Sequence, residues 1–252
     1  MIEQNGTYVV MGVLDANSIA FVTGKVLERF GARVVYCIQN ERIKRIFFDH
    51  DSDLTDEERA ELDIRFCDVT SDDEVHALFS GIGEIKGVLH SIAYVNPKTC
   101  LGEEFHTDAY EDLSKGFQIS AVSLATVARH AVPNMPGGGS VVAMTFDTRH
   151  AFPHYNWMGV NKAALEACVR ALARRHGRDL VRVNAVSAGP LHTKAASSIP
   201  GFGYLSRAWK SRSPLPWDTR RDKREVAQAA AFLLGPFARK ITGQVLYVDG
   251  GA

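Results

Sequence analysis

Short apolar segments alternate with amphipathic segments along the whole chain. Segments rich in apolar and β-branched residues predict strands over 7–13, 32–38, 62–69, 86–94, 137–146, 181–189 and 243–251. Segments with a helical period predict helices over 18–31, 72–82 and 115–135, from Tyr155 onward, and over 224–235. This alternation predicts an α/β protein with a doubly wound parallel sheet, a Rossmann fold covered by helices on both faces.

The pattern predicts a single domain over residues 1–252. No linker, low-complexity segment or repeat of 20 to 50 residues interrupts it. The segment 193–223 is the exception, because it contains Gly, Pro and Trp and reads as irregular. Long irregular segments in compact domains are usually functional, so we expect this one to cover a substrate.

Composition excludes several classes of function. The 252 residues include 29 basic and 29 acidic side chains, so a net charge of zero argues against a general nucleic-acid binder. The N-terminus lacks a basic region followed by a long apolar stretch, and no run of 18 apolar residues occurs, so we expect neither a signal peptide nor a membrane span. Four scattered cysteines indicate reduced thiols in a cytoplasmic protein, and neither they nor the nine histidines have metal-ligand spacing.

The predicted turn "GVLDANSIA" (12–20) connects the first strand to the first helix. It has no G-x-G-x-x-G motif, but Gly12 ends the strand and Ser18 begins the helix. A helix N-terminus presents free N–H groups and a partial positive charge, which suit a diphosphate. Ser18 could equally be an N-cap and nothing more.

Two further strand ends bear on a nucleotide. Gln39 follows the second strand and could bond a ribose hydroxyl, but it leaves the choice between NADH and NADPH open. Arg42, Lys44 and Arg45 could accept a 2′-phosphate or form a solvated helix face. Asp68 ends another strand, where it could accept a hydrogen bond from an adenine amine or begin the next helix.

The stretch "HYNWMGVNK" (154–162) places Tyr155 and Lys162 seven residues apart. At about 100° per residue, seven steps bring the two side chains within about 20° of one helix face. A phenol can donate a hydrogen bond to an oxygen that gains negative charge, and an ammonium on the same face can hold a ligand. The same spacing also occurs by chance on a solvated helix face, so the pair is a candidate for the chemistry that the surrounding sequence has to support.

These turns, together with "YNWMGVNK" and "NAVSAGPLHTKAAS", resemble the enoyl-acyl carrier protein reductases of the short-chain dehydrogenase/reductase superfamily. The segment "SVVAMTFDTRHAFPHYNWMGVNKAALEACVRALA" is most similar to the actinobacterial, mycolate-associated branch, in which a Phe precedes the catalytic Tyr by nine residues, as Phe146 precedes Tyr155. Ketoreductases of the superfamily place their Lys four residues after the Tyr and a Ser near position 142. Here Gly159 and Val142 occupy those positions.

The resemblance implies reduction of the C=C bond of a trans-2-enoyl thioester, carried on acyl carrier protein or coenzyme A, by hydride from NADH, with NADPH as the alternative. It implies that Tyr155 stabilises the enolate and that Lys162 holds the nicotinamide ribose. The implied cofactor-binding residues are Gly12, Ser18, Ile19, Gln39, Asp68, Val69, Ser91, Ile92, Ala93, Lys162, Leu191 and Thr193, and the implied substrate residues are Tyr94, Phe146 and Tyr155. It also implies a homotetramer packed through the helices near 110–135 and 155–175.

The chain departs from the family pattern at several positions. His192 stands where Arg is usual, Lys194 where an apolar residue is usual, and Ala93 where Gly is frequent. The segment 193–214 is also short, which argues against very long acyl chains. These departures keep two alternatives open: a divergent reductase acting on another activated C=C or C=O bond, and a catalytically inactive cofactor-binding protein. Retention of both Tyr155 and Lys162 argues against the second.

The segment 193–223 contains two further candidate features. Phe202, Tyr204, Leu205 and Trp209 could form the inner side of a lid or belong to the core. Residues 205–224 carry an excess of basic side chains, which could steer an acidic carrier protein or form a solvated face. These are Arg207, Lys210, Arg212, Arg220, Arg221, Lys223 and Arg224.

Overall fold

A seven-stranded sheet, parallel throughout, forms the centre of the computed structural model, which describes residues 2–252. The strand order is β3-β2-β1-β4-β5-β6-β7, so the winding direction reverses between β1 and β4. In such sheets ligands bind at the carboxyl ends of the strands beside this switch point. The strands are β1 (Thr7–Met11), β2 (Arg33–Ile38), β3 (Asp63–Phe66), β4 (Gly87–His90), β5 (Gly139–Thr145), β6 (Val181–Ala188) and β7 (Val245–Val248).

Helices connect the strands. They are α1 (Ile19–Arg29), α2 (Glu41–Ile43), α3 (Asp56–Ala60), α4 (Asp72–Ile82), α5 (Pro97–Cys100), α6 (Tyr110–Phe117), α7 (Ser123–Ala131), α8 (Asn156–His176), α9 (Lys194–Ser197), α10 (Phe202–Arg212) and α11 (Lys223–Leu234). Two π-helical turns, Lys44–Phe48 and Gln118–Val122, extend α2 and join α6 to α7. Short 3₁₀ turns occur at Val132–Asn134, Gly177–Asp179 and Pro236–Ala238.

The sheet separates two hydrophobic cores, because side chains alternate between the faces of a strand. Tyr8 and Val10 of β1 join the core formed with α1 and α11. Val9 and Met11 join the opposite core, formed with α4, α7 and α8. The doubly wound α/β fold predicted from the sequence is therefore confirmed.

Several predicted boundaries are wrong. The segment 193–223 is not irregular, since it contains α9 and α10. The helix predicted over 115–135 begins at Tyr110. In its π-helical turn, Gln118–Val122, the Ser120 hydroxyl accepts a hydrogen bond from the Tyr94 N–H at 2.9 Å and donates one to the Tyr94 carbonyl at 2.8 Å. The strands expected over 62–69, 86–94 and 243–251 are shorter, and α2, α3 and α5 lack an apolar period that would have predicted them.

Other features of the described residues bear on the function classes considered above. No helix within residues 2–252 is long and apolar enough to cross a membrane. All four cysteines are free, and only Cys168 is partly exposed. Among the same residues, no group of His, Cys, Asp or Glu is arranged to hold a metal ion.

Candidate active site

A cavity of about 740 Å³ opens at the carboxyl ends of the central strands. It is lined by every residue that the sequence assigned to the cofactor or the substrate: Gly12, Ser18, Ile19, Gln39, Asp68, Val69, Ser91, Ile92, Ala93, Tyr94, Phe146, Tyr155, Lys162, Leu191 and Thr193. The fold thus brings these positions together from six different strand ends. The role of each residue stays a prediction.

The turn after β1 forms one wall of the cavity. Gly12 has φ +93°, and a Cβ at this position would overlap the carbonyl oxygen of Ser91. Ser18 is the N-cap of α1: its hydroxyl oxygen accepts a hydrogen bond from the Phe21 N–H at 3.3 Å and donates to the Asp15 carbonyl at 2.7 Å. The chain here presents backbone and a helix N-terminus to the cavity, an arrangement that fits a diphosphate.

The next wall lies at the ends of β2 and β3. The Gln39 side-chain amide donates to Asp68 Oδ2 at 2.8 Å, and the Thr70 N–H and hydroxyl donate to Asp68 Oδ1. Burial would raise the pKa of Asp68, but these hydrogen bonds outweigh it and lower the pKa below its ordinary value. Gln39 is therefore oriented by a carboxylate, which leaves its carbonyl oxygen as the group available to a ribose hydroxyl.

Tyr155 also lines the cavity and is 8% exposed. Its ring contacts Phe146 edge-to-face at 5.0 Å between centroids. Desolvation raises the pKa of Tyr155 above its ordinary value of 10.0, so the hydroxyl stays protonated at neutral pH. A protonated phenol in an apolar wall can only stabilise a developing oxyanion by donating a hydrogen bond to it.

The expectation that Tyr155 lies within a regular helix is wrong by one residue. Tyr155 precedes α8 as its N-cap, and the flanking residues His154 and Asn156 have φ of +65° and +33°. The Asn156 side chain donates to the carbonyl oxygens of Gly102 at 2.7 Å and Glu104 at 3.1 Å. Strained backbone of this kind persists only where neighbouring structure enforces it, and here the Asn156 hydrogen bonds hold the turn that carries Tyr155.

Lys162 reaches the same cavity from the second turn of α8. Lys162 is 6% exposed, and its ammonium donates to the Met144 carbonyl at 2.8 Å. Desolvation lowers the pKa of Lys162 to about 8, and the carboxylate of Glu166 opposes this shift. Glu166 is in turn held by the hydroxyls of Thr145 at 3.0 Å and Thr148 at 2.8 Å. The ammonium is thus fixed in direction by protein groups.

Sequence reasoning assigned no role to several groups in or next to the site. His90, at the end of β4, does not line the cavity but is fully buried beside the cavity-lining Ser91, with Nε2 2.8 Å from the Ser123 hydroxyl and Nδ1 without a partner among the described residues. Burial lowers the pKa of His90 to about 3, so this ring is neutral. Asp15, Cys37 and Lys115 do line the cavity. Asp15 and Cys37 lie at strand ends, which was the available signal, whereas Lys115 lies within α6, and these residue types match no motif.

The segment after β6 closes the cavity. Thr193 is the N-cap of α9, and its hydroxyl oxygen accepts from the Ala196 N–H at 3.1 Å. Phe202 and Leu205 of α10 line the cavity, as expected for a lid. Tyr204, in contrast, is 58% exposed, and Trp209 belongs to the core, where its indole donates to the Asp249 carbonyl at 2.8 Å. The sequence could not separate these two pairs.

A doubly wound sheet with a glycine turn, an open helix N-terminus and a buried Tyr and Lys in one cavity defines a dinucleotide-dependent reductase of the short-chain type. The family model described as "Enoyl-(Acyl carrier protein) reductase" matches residues 12–252. The chain belongs to the enoyl-acyl carrier protein reductase family, which confirms the family predicted from the motifs.

Relatives extend over nearly the whole chain. An enoyl-[acyl-carrier-protein] reductase [NADPH] FabI of Staphylococcus aureus (strain MRSA252) is 39% identical, covering 98% of this chain and 96% of its own length. An enoyl-[acyl-carrier-protein] reductase [NADH] of Mycolicibacterium smegmatis is 38% identical, with coverages of 96% and 94%. The Bacillus cereus enoyl-acyl carrier protein reductase, solved with NADP+ and indole naphthyridinone, superposes with a TM-score of 0.89 at 36% identity, covering 98% of this chain and 96% of that one.

Proposed function

We propose that this protein reduces the C=C bond of a trans-2-enoyl thioester with a nicotinamide cofactor. The observation that carries the proposal is the cavity itself, which the buried Tyr155 and Lys162 line together with Ser18, the N-cap of α1. When bound, the cofactor supplies a hydride to the β-carbon of the substrate. Family membership and the relatives' names support the same reaction.

Two side chains have distinct roles in this proposal. The Tyr155 hydroxyl donates a hydrogen bond to the thioester oxygen as negative charge develops there. This hydrogen bond stabilises the transition state more than the ground state. Lys162 holds the nicotinamide ribose hydroxyls and fixes the ring beside the substrate. The Met144 carbonyl orients the Lys162 ammonium, so little ordering is left to occur when the cofactor binds.

The acyl chain would occupy the apolar part of the cavity. Phe146, Met158, Ile199, Phe202 and Leu205 line this part and bring no charge to it. Phe146 is braced by Trp209, with ring centroids 5.7 Å apart. A rigid aromatic wall beside Tyr155 keeps water from the developing enolate, which strengthens the hydrogen bond that stabilises it.

We infer that NADH is the preferred cofactor. A 2′-phosphate would lie near the end of β2, where Gln39 is bonded to the Asp68 carboxylate. Of the three neighbouring cations, Lys44 is paired with Asp49 at 2.6 Å and Arg45 with Glu41 at 3.7 Å, whereas the exposed Arg42 forms no ion pair among the described residues. The Asp68 carboxylate would therefore repel the phosphate, and Arg42 is the one unpaired cation of the three that could offset it.

Calorimetric titration tests this choice. NADH should bind about tenfold or more tightly than NADPH at low salt, because the extra phosphate charge lies beside Asp68. Gln39→Arg should reduce or reverse the preference. Equal affinity of the unchanged protein for both cofactors would refute it.

We also propose that the substrate is presented by an acidic acyl carrier protein. A basic surface, comprising Arg207, Lys210, Arg212, Arg220, Arg221 and Arg224, is solvent-exposed beside the lid. Lys223 does not belong to it, since its ammonium is buried and bonded to backbone carbonyls. The double variant Arg220→Ser/Arg224→Ser should raise KM for enoyl-acyl carrier protein but not for enoyl-coenzyme A. The control variant Arg178→Ser, beyond the C-terminal end of α8, should change neither KM. An equal effect on both substrates would contradict docking here.

The homotetramer remains our proposal. Apolar side chains stay exposed on the outer surface of α6, the π-helical turn and α8, including Phe117, Val122 and Val160. Burial of this surface between subunits would account for them. Val160→Lys should lower the mass measured by light scattering, whereas Phe30→Ser at the end of α1 should not change it. If the wild-type protein is itself a monomer, the proposal is refuted.

The cytoplasmic location likewise remains a prediction, supported by the free cysteines.

The central experiment mixes the purified protein and NADH or NADPH with enoyl thioesters from crotonyl upward in chain length. Loss of reduced-cofactor absorbance with at least one chain length is expected. No turnover of any enoyl thioester, combined with reduction of a ketone or another activated alkene, would favour the divergent reductase. Binding of cofactor with no turnover of any substrate would favour the inactive protein.

A further inference from the structure

An ion pair joins the lid to the turn after β1. Lys194, the first residue of α9, has its ammonium 3.5 Å from Asp15 Oδ2. The Asp15 side chain is 4% exposed, whereas that of Lys194 is 47% exposed. Both residues line the cavity beside Ser18 and Thr193. The pair therefore lies where the lid meets the N-terminus of α1.

Asp15 brings a negative charge to a place suited to an anion. Its carbonyl oxygen accepts from the Ser18 hydroxyl, the N-cap of α1, so its position is tied to this helix start. Asp51, whose carboxylate accepts from the Ala16 N–H at 2.7 Å, adds a second negative charge nearby. A diphosphate entering here would be repelled by both carboxylates, and Lys194 is the cation that contacts Asp15.

The base of the lid is already clamped to the same turn. The buried ammonium of Lys223, at the start of α11, donates to the carbonyls of Asn17 at 3.1 Å and His192 at 2.9 Å, and also bonds the Asn17 side chain. The Asn17 side chain donates to the His192 carbonyl at 3.3 Å. The segment that ends at His192 is thus fixed to the turn after β1. Lys194 adds a separate ionic contact between α9 and the same turn.

We propose that Lys194 is a positioning residue that couples the lid to the cofactor diphosphate. By neutralising Asp15, its ammonium allows the diphosphate to bind at the N-terminus of α1, and it can make this contact only while α9 lies against the turn. Cofactor binding and the closed position of the lid therefore favour each other. The inference rests on the proposed function, since it requires that a dinucleotide occupies the cavity.

Binding measurements on four variants test the coupling. Lys194→Leu should weaken NADH and ADP-ribose binding about tenfold, the effect of one uncompensated charge within about 10 Å at an effective dielectric constant of about 20. Lys194→Arg should keep most of the affinity, and Asp15→Asn should not weaken binding. Asp15→Asn/Lys194→Leu should bind more tightly than Lys194→Leu, because the unpaired carboxylate is gone. Lys240→Leu, an exposed lysine outside the cavity, serves as the control.

Proteolysis of the lid separates coupling from a purely structural role. NADH should slow thermolysin cleavage within 194–212 in the unchanged protein but not in Lys194→Leu, whereas a structural role would change cleavage equally with and without NADH. Unaltered NADH affinity in Lys194→Leu, or no recovery in the double variant, would overturn the inference. If the unchanged protein bound no dinucleotide at all, the proposed function would fall instead.

Discussion

Replacing Lys162 by methionine should make the cofactor-free protein more stable at neutral pH. Burial lowers the pKa of this ammonium from 10.5 to about 8. At about 1.4 kcal/mol per pH unit, holding the charge in its site at pH 7 costs on the order of 3 kcal/mol. Methionine removes this cost but leaves the Met144 carbonyl without its donor, which costs about 1–2 kcal/mol. We therefore expect a net stabilisation of about 1–2 kcal/mol.

The pH dependence of this difference follows from the lowered pKa. Below about pH 8, Lys162 is protonated in both the folded and the unfolded protein, so the cost is fully present. Between about pH 8 and pH 10.5 the unfolded chain binds more protons at this site, so the stability of the unchanged protein rises with pH relative to the variant. The advantage of Lys162→Met should therefore disappear toward pH 10.5.

Urea unfolding without cofactor, at several pH values and one protein concentration, measures the difference. Other titrating groups cancel between the two proteins, and a fixed concentration removes the effect of subunit association. Lys240→Met is the matched surface control and should change stability little at any pH. A Lys162→Met protein that is less stable at pH 7, by an amount independent of pH, would refute the reasoning.

Three further predictions concern the same cavity. Tyr155→Phe should lower kcat about 100- to 1,000-fold while leaving the dissociation constant for NADH nearly unchanged; an equal loss in both, by steady-state kinetics and calorimetry, would contradict its assigned role. Gly12→Ala should abolish measurable NADH binding and lower the melting temperature, because its Cβ would overlap the Ser91 carbonyl; Gly177→Ala, at an open position, should do neither. NADH affinity should fall above about pH 8 because Lys162 loses its proton. If the affinity of Lys162→Met for NADH depends on pH in the same way, a group other than Lys162 titrates and the prediction is wrong.

The sequence predicts the central sheet and the ends of its strands well, because both depend on local patterns. Apolar runs identify buried strands, and in a parallel sheet the residue after each strand faces one common edge. Gly12, Gln39 and Asp68 could therefore be placed in one cavity without knowledge of their contacts. Ser18 was recognised for the same reason, since an N-cap is a local property of the chain.

The features that escaped prediction depend on contacts between distant segments. The turn that carries Tyr155 is held by Asn156, whose side chain bonds carbonyl groups more than fifty residues earlier in the chain. The π-helical turn Gln118–Val122 contains Ser120, whose hydroxyl forms hydrogen bonds with the backbone of Tyr94. Lys194 and Asp15 meet where the lid contacts the turn after β1. No periodicity or motif within a short window contains such information.

The clamp made by Lys223 also constrains when the site can form during synthesis. The turn that we propose to receive the diphosphate belongs to the first twenty residues, yet its Asn17 is held by a side chain from the start of α11, and α1 itself packs against α11. The N-terminal part of a nascent chain usually folds as it leaves the ribosome. Here this turn can be completed only after α11 has been synthesised, so a dinucleotide bound as we propose could assist only the last stage of co-translational folding.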